Sequence, residues 1–495
     1  MSALALQAAP TLPLAQAWWL GTHRRMDLLD VPSFHQELAP PGTAAARVTQ
    51  RRRLHRLPTA LPTEVVALDA YLAGTAATVA PLPALSVLLR HLAAPLTFQA
   101  DNPYGVHRAV PSPRCAHPCR VVVVERHDQG VRCWSYEGDH HALTPVDAPC
   151  DVAAVLGPYR LAVVGIARHW VLADKYGDFA PFNSMLESGM AQAQLQHLAA
   201  ALGWRGEPLE HDPDAMRAAL ALCDHPLETI AYGLLVDPPG MLADASWPGS
   251  SVDTDVASLE PSPRLIRQFD RLPQLAAQFS AIGPAVPSTA TPRPSPVIRA
   301  TPGRGLLGVM RSRSAGNDRP GLAPLLTPLT TAVRDELLAL WRALGARRGP
   351  LAGEGELQPL LLWLEEHDGP ASLHDLQGRP RALPAGARPR ELLRDALPNV
   401  RARHNVAGLK CHAMWCADLP GATARHGAAA LRRLHLAAGA QAQDFCLAAA
   451  ALGLFARPVR MLREGVLEGG LGLPGPLAYQ AMCGLNRSTN THWTL

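Results

Sequence analysis

The chain repeats itself. Residues 124–143 (VERHDQGVRCWSYEGDHHAL) and 364–383 (LEEHDGPASLHDLQGRPRAL) share Glu125, His127, Asp128, Gly138, Ala142 and Leu143 with Glu365, His367, Asp368, Gly378, Ala382 and Leu383, all displaced by 240. Downstream, GMAQAQLQHLAAALG (189–203) returns as GAQAQDFCLAAAALG (439–453), with Gly189 and Gly203 at Gly439 and Gly453, and Pro208 at Pro458. Ala231-Tyr232 returns as Ala478-Tyr479, displaced by 247. Alanine-rich helices resemble one another by chance, but three matches in one order with slowly drifting offsets mark a tandem duplication.

Composition bounds what the two copies can be. At 495 residues there is room for two or three domains. The 39 Gly and 47 Pro fall short of a generally disordered chain. A net charge of +4 is too small for a dedicated nucleic-acid or membrane-surface protein. No uncharged apolar run reaches the length of a membrane span. The first residues, MSALALQAAPTLPLAQAWWLG, lack the basic start of a signal peptide. Nine cysteines without a CxxC pair suit reduced thiols, so a soluble cytoplasmic protein is expected. Of the basic residues only Lys175 and Lys410 are lysine; the remaining 44 are arginine.

Each copy reads alike. An Arg-rich entry (50–57; 311–319) precedes a helical stretch (PTEVVALDAYLAG; LTTAVRDELLALWRALG). A continuous apolar strand follows, RVVVV at 120–124 and LLLWL at 360–364, each with a hairpin partner. In the first copy the strand RLAVVGIA leads to a long helix at 184–203, repeated at about 425–453, and a last strand closes each half. Helices alternating irregularly with hairpins predict an α+β fold, not a doubly wound parallel sheet. The expected domains are an N-terminal extension (1–45), a first domain (46–245), a Pro-rich linker with a surface helix (246–304) and a second domain (305–495).

Four segments of the first half carry a family likeness: RRRLHR (51–56), VPSPRCAHPCRVVVVE (110–125), KYGDFAPFNSMLESGMAQAQLQHLAAALG (175–203) and GEPLEHDPDAMRAALAL (206–222). They resemble the nitroreductase superfamily of flavin enzymes, specifically its SagB-type dehydrogenases, with their Arg-rich entry, Pro-Ser-Ala-Gly-x-x-His-Pro segment, Lys-Tyr-Gly loop with a long helix, and flavin-edge turn. The resemblance implies two nitroreductase-like domains packed as an intrachain pseudo-dimer with FMN at the seam. The second-half entry MRSRSAGNDR (310–319) keeps the entry pattern better than the first, whereas the Lys-Tyr pair is absent from the second half, where CADLPG aligns. Two phosphate sites stay open: Arg311, Arg313 and Ser314 facing Ser112 and Arg114, or Arg52, Arg53 and Arg56. PSPRC departs from the family's PSAGA, placing Pro113 and Arg114 where small residues let backbone approach the flavin.

The resemblance also implies a reaction: oxidation of thiazolines and oxazolines on a ribosomally made peptide to azoles, with oxygen reoxidising the flavin. A precursor peptide and a cyclodehydratase would be partners. The ring must lose a hydride to flavin and a proton to a base. Lys175 is the expected base, since a desolvated amine is neutral and accepts a proton whereas guanidinium does not; Tyr176 would orient the ring nitrogen. Two rivals remain, an NAD(P)H-dependent nitro or quinone reductase and a non-catalytic scaffold that docks peptide. No GxSxG, Walker or HExxH motif supports hydrolase or ATPase chemistry. Cys115, His117 and Cys119 lack a second ligand pair at zinc spacing, so no metal is expected.

Overall fold

The computed structural model describes residues 13–21, 45–99, 104–127, 130–147, 152–238, 250–262, 271–285, 304–318, 321–322, 324–364, 370–397, 404–460, 462–486 and 492–494. The repeat residues Asp128, Glu365, His367 and Asp368, and the linker core 286–303, lie outside these residues.

Two antiparallel sheets carry the two copies. The first runs in the order Ser251–Pro261, Ala45–Arg56, Ala142–Val146, Gly130–Glu137, Cys119–His127, Leu161–Arg168, Glu228–Asp237, Arg205–Pro208. The second runs Pro380–Arg381, Ser372–Asp375, Leu357–Trp363, Cys411–Ala417, Leu477–Leu485, Leu454–Val459. The last six strands of the first sheet and the six of the second therefore follow one order. The strand Cys119–His127 is central because its Val121–Val124 run is β-branched and buried on both faces. The register shifts at matching positions, between Gly165 and Ile166 beside Tyr232 and between Trp415 and Cys416 beside Tyr479. A shared bulge is a conserved way of re-aiming a strand, so the copies agree in backbone detail as well as in order.

Each half sends one 22-residue helix into the middle, Ala180–Ala201 and Ala430–Ala451. Both are buried almost all round, which explains their alanine-rich, non-amphipathic sequence. They cross at Gly189 and Gly439. A Cβ on Gly189 would strike the Leu436 carbonyl oxygen, and one on Gly439 would strike that of Leu186 and sit 3.0 Å from the Gly189 Cα. These glycines were paired by the sequence repeat; the close backbone approach is why neither carries a side chain. Past the crossing, Gln443 Nε2 donates to Gln194 Oε1 (2.9 Å), and buried His197 bonds Asp444 at 2.8 Å. Burial opposes the Asp444 charge, but Arg348 and His197 outweigh it and hold the carboxyl below its usual range.

Three expectations change. The Arg-rich entry 50–57, given no element of its own, falls on the strand Ala45–Arg56, and Ser251–Pro261, assigned to the linker, pairs with that strand along eleven residues. The linker helix is Leu272–Phe279, and it is not a surface element: Leu272, Leu275 and Phe279 are fully buried. Its Gln278 Nε2 donates to the Ala428 carbonyl (3.1 Å), so it reaches the second half. Finally, the second-half partner of the Lys-Tyr-Gly turn is Arg425-His426-Gly427, not CADLPG. Gly177 and Gly427 both end short helices at φ 52 and 53°, ψ −132 and −130°, a backbone that favours glycine, immediately before the long helices. Among the described residues no helix is long and apolar enough to cross a membrane.

Candidate functional site

The second-half entry is built into the first half. Helix Leu306–Ser312 begins against residues 64–68: the Leu307 and Gly308 amides donate to the Glu64 carboxylate at 2.8 and 2.9 Å, and the Leu306 amide donates to the Val66 carbonyl. A carboxylate at a helix start satisfies otherwise orphaned amides and complements the dipole. The far end of this helix delivers Arg311 and Arg313 across the boundary. Arg313 Nε donates to the Ala109 carbonyl (2.7 Å) and Nη2 to that of Arg108 (3.1 Å), while its Nη1 is buried without a partner. Arg311 bonds the Thr63 carbonyl (2.6 Å) and faces His91. Ser314 Oγ accepts from the Gly316 amide (3.1 Å) and Asn486 Nδ2 (3.3 Å).

Arg313 thus lies on the segment that leads into the Pro-Ser loop. Ser112 Oγ donates to Glu187 Oε2 (2.7 Å) and accepts from the His117 amide (2.8 Å). The loop is left-handed at Arg114, Cys115 and His117, with φ of 53, 52 and 47°. Arg114 occupies the position where the family pattern has glycine, so the turn survives the substitution at a cost of about 1–2 kcal/mol. Burial raises the Glu187 carboxyl to about 8, only partly offset by Ser112 and Arg108. Glu187 is therefore largely protonated at neutral pH and adds little negative charge here. Burial, with Arg108 and Arg313 nearby, holds His117 well below its usual value, so it is neutral. Its Nε2 and Arg108 Nε are also buried without partners.

Lys175 and Tyr176 end the helix Trp170–Tyr176, where a cation complements the dipole. Lys175 is exposed, outside the desolvated setting that a base requires. Tyr176 is half-buried against the cluster of Trp170, Ala173, Leu272 and Ala276. It lies near Tyr479 of the second half, whose hydroxyl is pushed up by burial and by Cys446, Glu187 and Tyr176. Tyr176 and Glu187 thus act electrostatically on Tyr479 across the seam.

The other arginines stand elsewhere. Arg52 pairs with Glu137 at 2.9 Å, Arg53 Nε donates to Ser251 Oγ at 3.2 Å, and Arg56 is exposed. Arg52, Arg53 and Arg114 line a groove of about 1680 Å³ on the first half, walled by the strands Ala45–Arg56 and Ser251–Pro261. The two phosphate alternatives are therefore two separate places, the seam and the groove, which approach each other at Arg108 and His117. Sequence reasoning missed Glu187, Arg108, Tyr479 and Asn486. Glu187 had a signal, as the one acid in the stretch APFNSMLESGMAQAQLQHLAAA; Arg108 had none.

A flavin mononucleotide needs donors for its phosphate, and the orphaned, buried Arg313 Nη1, Arg108 Nε and His117 Nε2 are such donors. The residues present fit the group.

No family model matches the chain, and no curated protein does. Solved structures do. A protein described as a nitroreductase from Anabaena variabilis aligns with a TM-score of 0.62 at 18% identity, covering 86% of this chain and 92% of its own. A second described in the same way, from Ralstonia eutropha, aligns at 0.29 and 17% identity over 38% of this chain and 90% of its own. The E. coli microcin synthetase McbBCD complex with truncated pro-MccB17 bound gives 0.26 and 16% over 37% and 71%. The first alignment necessarily spans both halves: the chain has a nitroreductase-like fold.

Proposed function

We propose that the chain is an FMN-dependent dehydrogenase of the SagB type, with its two halves acting as an intrachain pseudo-dimer that oxidises thiazoline or oxazoline rings of a ribosomally made peptide to azoles. The carrying observation is the seam itself. A guanidinium of one half, Arg313, sits half-buried against the segment of the other half that leads into the Pro-Ser loop, with one buried donor unspent. Bound FMN would supply the hydride acceptor, returned to its oxidised form by dioxygen.

The chain's own residues do the rest. Arg313, Arg311 and Ser314 from the second half, with Ser112, Arg108 and His117 from the first, hold the phosphate end. Neutral Glu187 keeps the flavin pocket free of a buried negative charge that would oppose an anion. Tyr176 and Tyr479 orient the ring. Lys175 takes the proton the ring loses as its hydride leaves; as an exposed amine it becomes desolvated only when substrate covers it. A precursor peptide and a cyclodehydratase are the partners this chemistry calls for.

The test is direct. Purified chain incubated with an azoline-bearing peptide and air, without nicotinamide, should remove two hydrogens per ring by mass spectrometry. Rapid NAD(P)H consumption with no peptide and no ring oxidation would replace this reading with the reductase. A colourless protein that binds peptide and oxidises nothing would leave only the scaffold.

A further inference from the structure

The geometry points to a second binding site: the arginine-lined groove of the first half holds an acidic, extended stretch of the peptide substrate beside the seam, an inference that rests on the peptide-oxidising reading above. Nine arginines line the groove against five carboxylates. The carboxylates are largely spoken for, Glu137 by Arg52 at 2.9 Å and Asp224 by Arg120 at 2.7 Å. Arg47 and Arg114, by contrast, form no ion pair among the described residues, so the groove carries surplus positive charge.

Its walls also hold unspent hydrogen bonds. Arg120 Nε, Trp170 Nε1, Thr144 Oγ1 and Ser258 Oγ are all buried in the groove's lining residues without a partner. Leaving such atoms unpaired carries a desolvation cost that an acceptor-rich occupant would recover. Carbonyls of an extended backbone suit the neutral indole and hydroxyl donors, while carboxylates suit the arginines. A continuous phosphate backbone suits the groove less well, because five carboxylates are interleaved with the arginines.

The place is as informative as the chemistry. The wall strands Ala45–Arg56 and Ser251–Pro261 have no counterpart in the second sheet, which has six strands among the described residues. At one end the groove meets the seam through Arg108 and His117. At another it includes Trp170, which opens the helix that ends in Lys175 and Tyr176. A peptide lying in it has its ring-bearing neighbour within reach of both. On this assignment Arg52, Arg53 and Arg114 serve the substrate, and the flavin phosphate belongs to Arg313 and its neighbours.

Fluorescence anisotropy on the full flavin-loaded chain tests this, with a short labelled peptide alternating Asp and Ser and its Lys-Ser counterpart. The acidic peptide should bind, the basic one should not, and the Arg47→Glu/Arg51→Glu double variant should weaken binding roughly tenfold, as should molar salt. The variant's flavin content and visible spectrum should not change. Equal binding of both peptides, an unaffected variant, or tighter binding of a single-stranded oligonucleotide would overturn the proposal. Loss of flavin from the variant would also overturn it, by moving the cofactor phosphate into the groove. The two readings fail separately. Acidic-peptide binding without ring oxidation sinks the dehydrogenase and keeps the groove. Ring oxidation with equal KM for acidic and basic flanks sinks the groove and keeps the dehydrogenase.

Discussion

Lys175-Tyr176-Gly177 and Arg425-His426-Gly427 are the same turn twice, with opposite fates. Both glycines hold nearly identical left-handed backbone, and both turns launch a 22-residue central helix. In the second half Arg425 and His426 are both tied to the buried carboxylate of Glu356, His426 at 3.0 Å. Arg433 Nη1 adds a further contact to His426 at 3.1 Å. In the first half Lys175 is exposed and makes no ion pair among the described residues. The two turns share their backbone and differ in their side chains. One cation is spent on an ion pair and the other stands exposed.

The comparison breaks most readily at what the halves share. Gly189→Val and Gly439→Val each force a side chain into the opposite helix's carbonyl, and overpacking a fully buried crossing costs at least about 1–3 kcal/mol. Both variants should lose most soluble folded protein, and to a similar degree, by yield and thermal melting. A loss confined to one of the two would contradict a symmetric crossing.

Next comes what the halves do not share. Lys175→Arg keeps the charge but removes a base that can be neutral, so ring oxidation should fall roughly hundredfold or more with flavin still bound. Arg425→Lys should leave turnover within about twofold, because Lys can still pair with Glu356. Retained turnover in Lys175→Arg would show that the proton goes elsewhere.

The smallest effect concerns Glu187, whose repeat position is Ala437. Its folded value of about 8 lies above the ordinary 4.5, so the folded state holds a proton the unfolded chain releases. Its contribution to stability is complete below about pH 4.5 and is lost as pH rises through 8. Glu187→Gln mimics the protonated form and should flatten this dependence, raising Tm at pH 9 by roughly 2–4 °C while changing little at pH 5. A wild-type melt independent of pH across this range would place the proton elsewhere.

Much of this was legible in the residues because it is written in local or periodic terms. The Val121–Val124 run marks a central strand, the alternation of VRCWSY marks its hairpin partner, and the paired glycines mark the crossing. What was not legible depends on distant partners. Nothing local in QRRRLHR says that it pairs with Ser251–Pro261, some 200 residues away. LPQLAAQF looks amphipathic enough for a surface, yet it is covered on a second side by the other half. The Arg-His-Gly turn escaped notice because only its glycine is held to the pattern by backbone geometry. Of the candidate site residues, Arg313 and Ser112 come to one seam, while Arg52, Arg53 and Arg114 stand in the groove beside it; the sequence offered both places without separating them.

The central claim is that a seam between duplicated halves holds one flavin, with its phosphate on Arg313. The cofactor released from the purified chain, quantified by absorbance and identified by mass, tests it most directly. The account predicts about one FMN per chain in the wild type, retention in Arg56→Ala, and a loss of roughly tenfold or more in affinity in Arg313→Ala. A chain purified without flavin and unable to take up FMN, or an Arg313→Ala variant that binds it as tightly as the wild type, would contradict it.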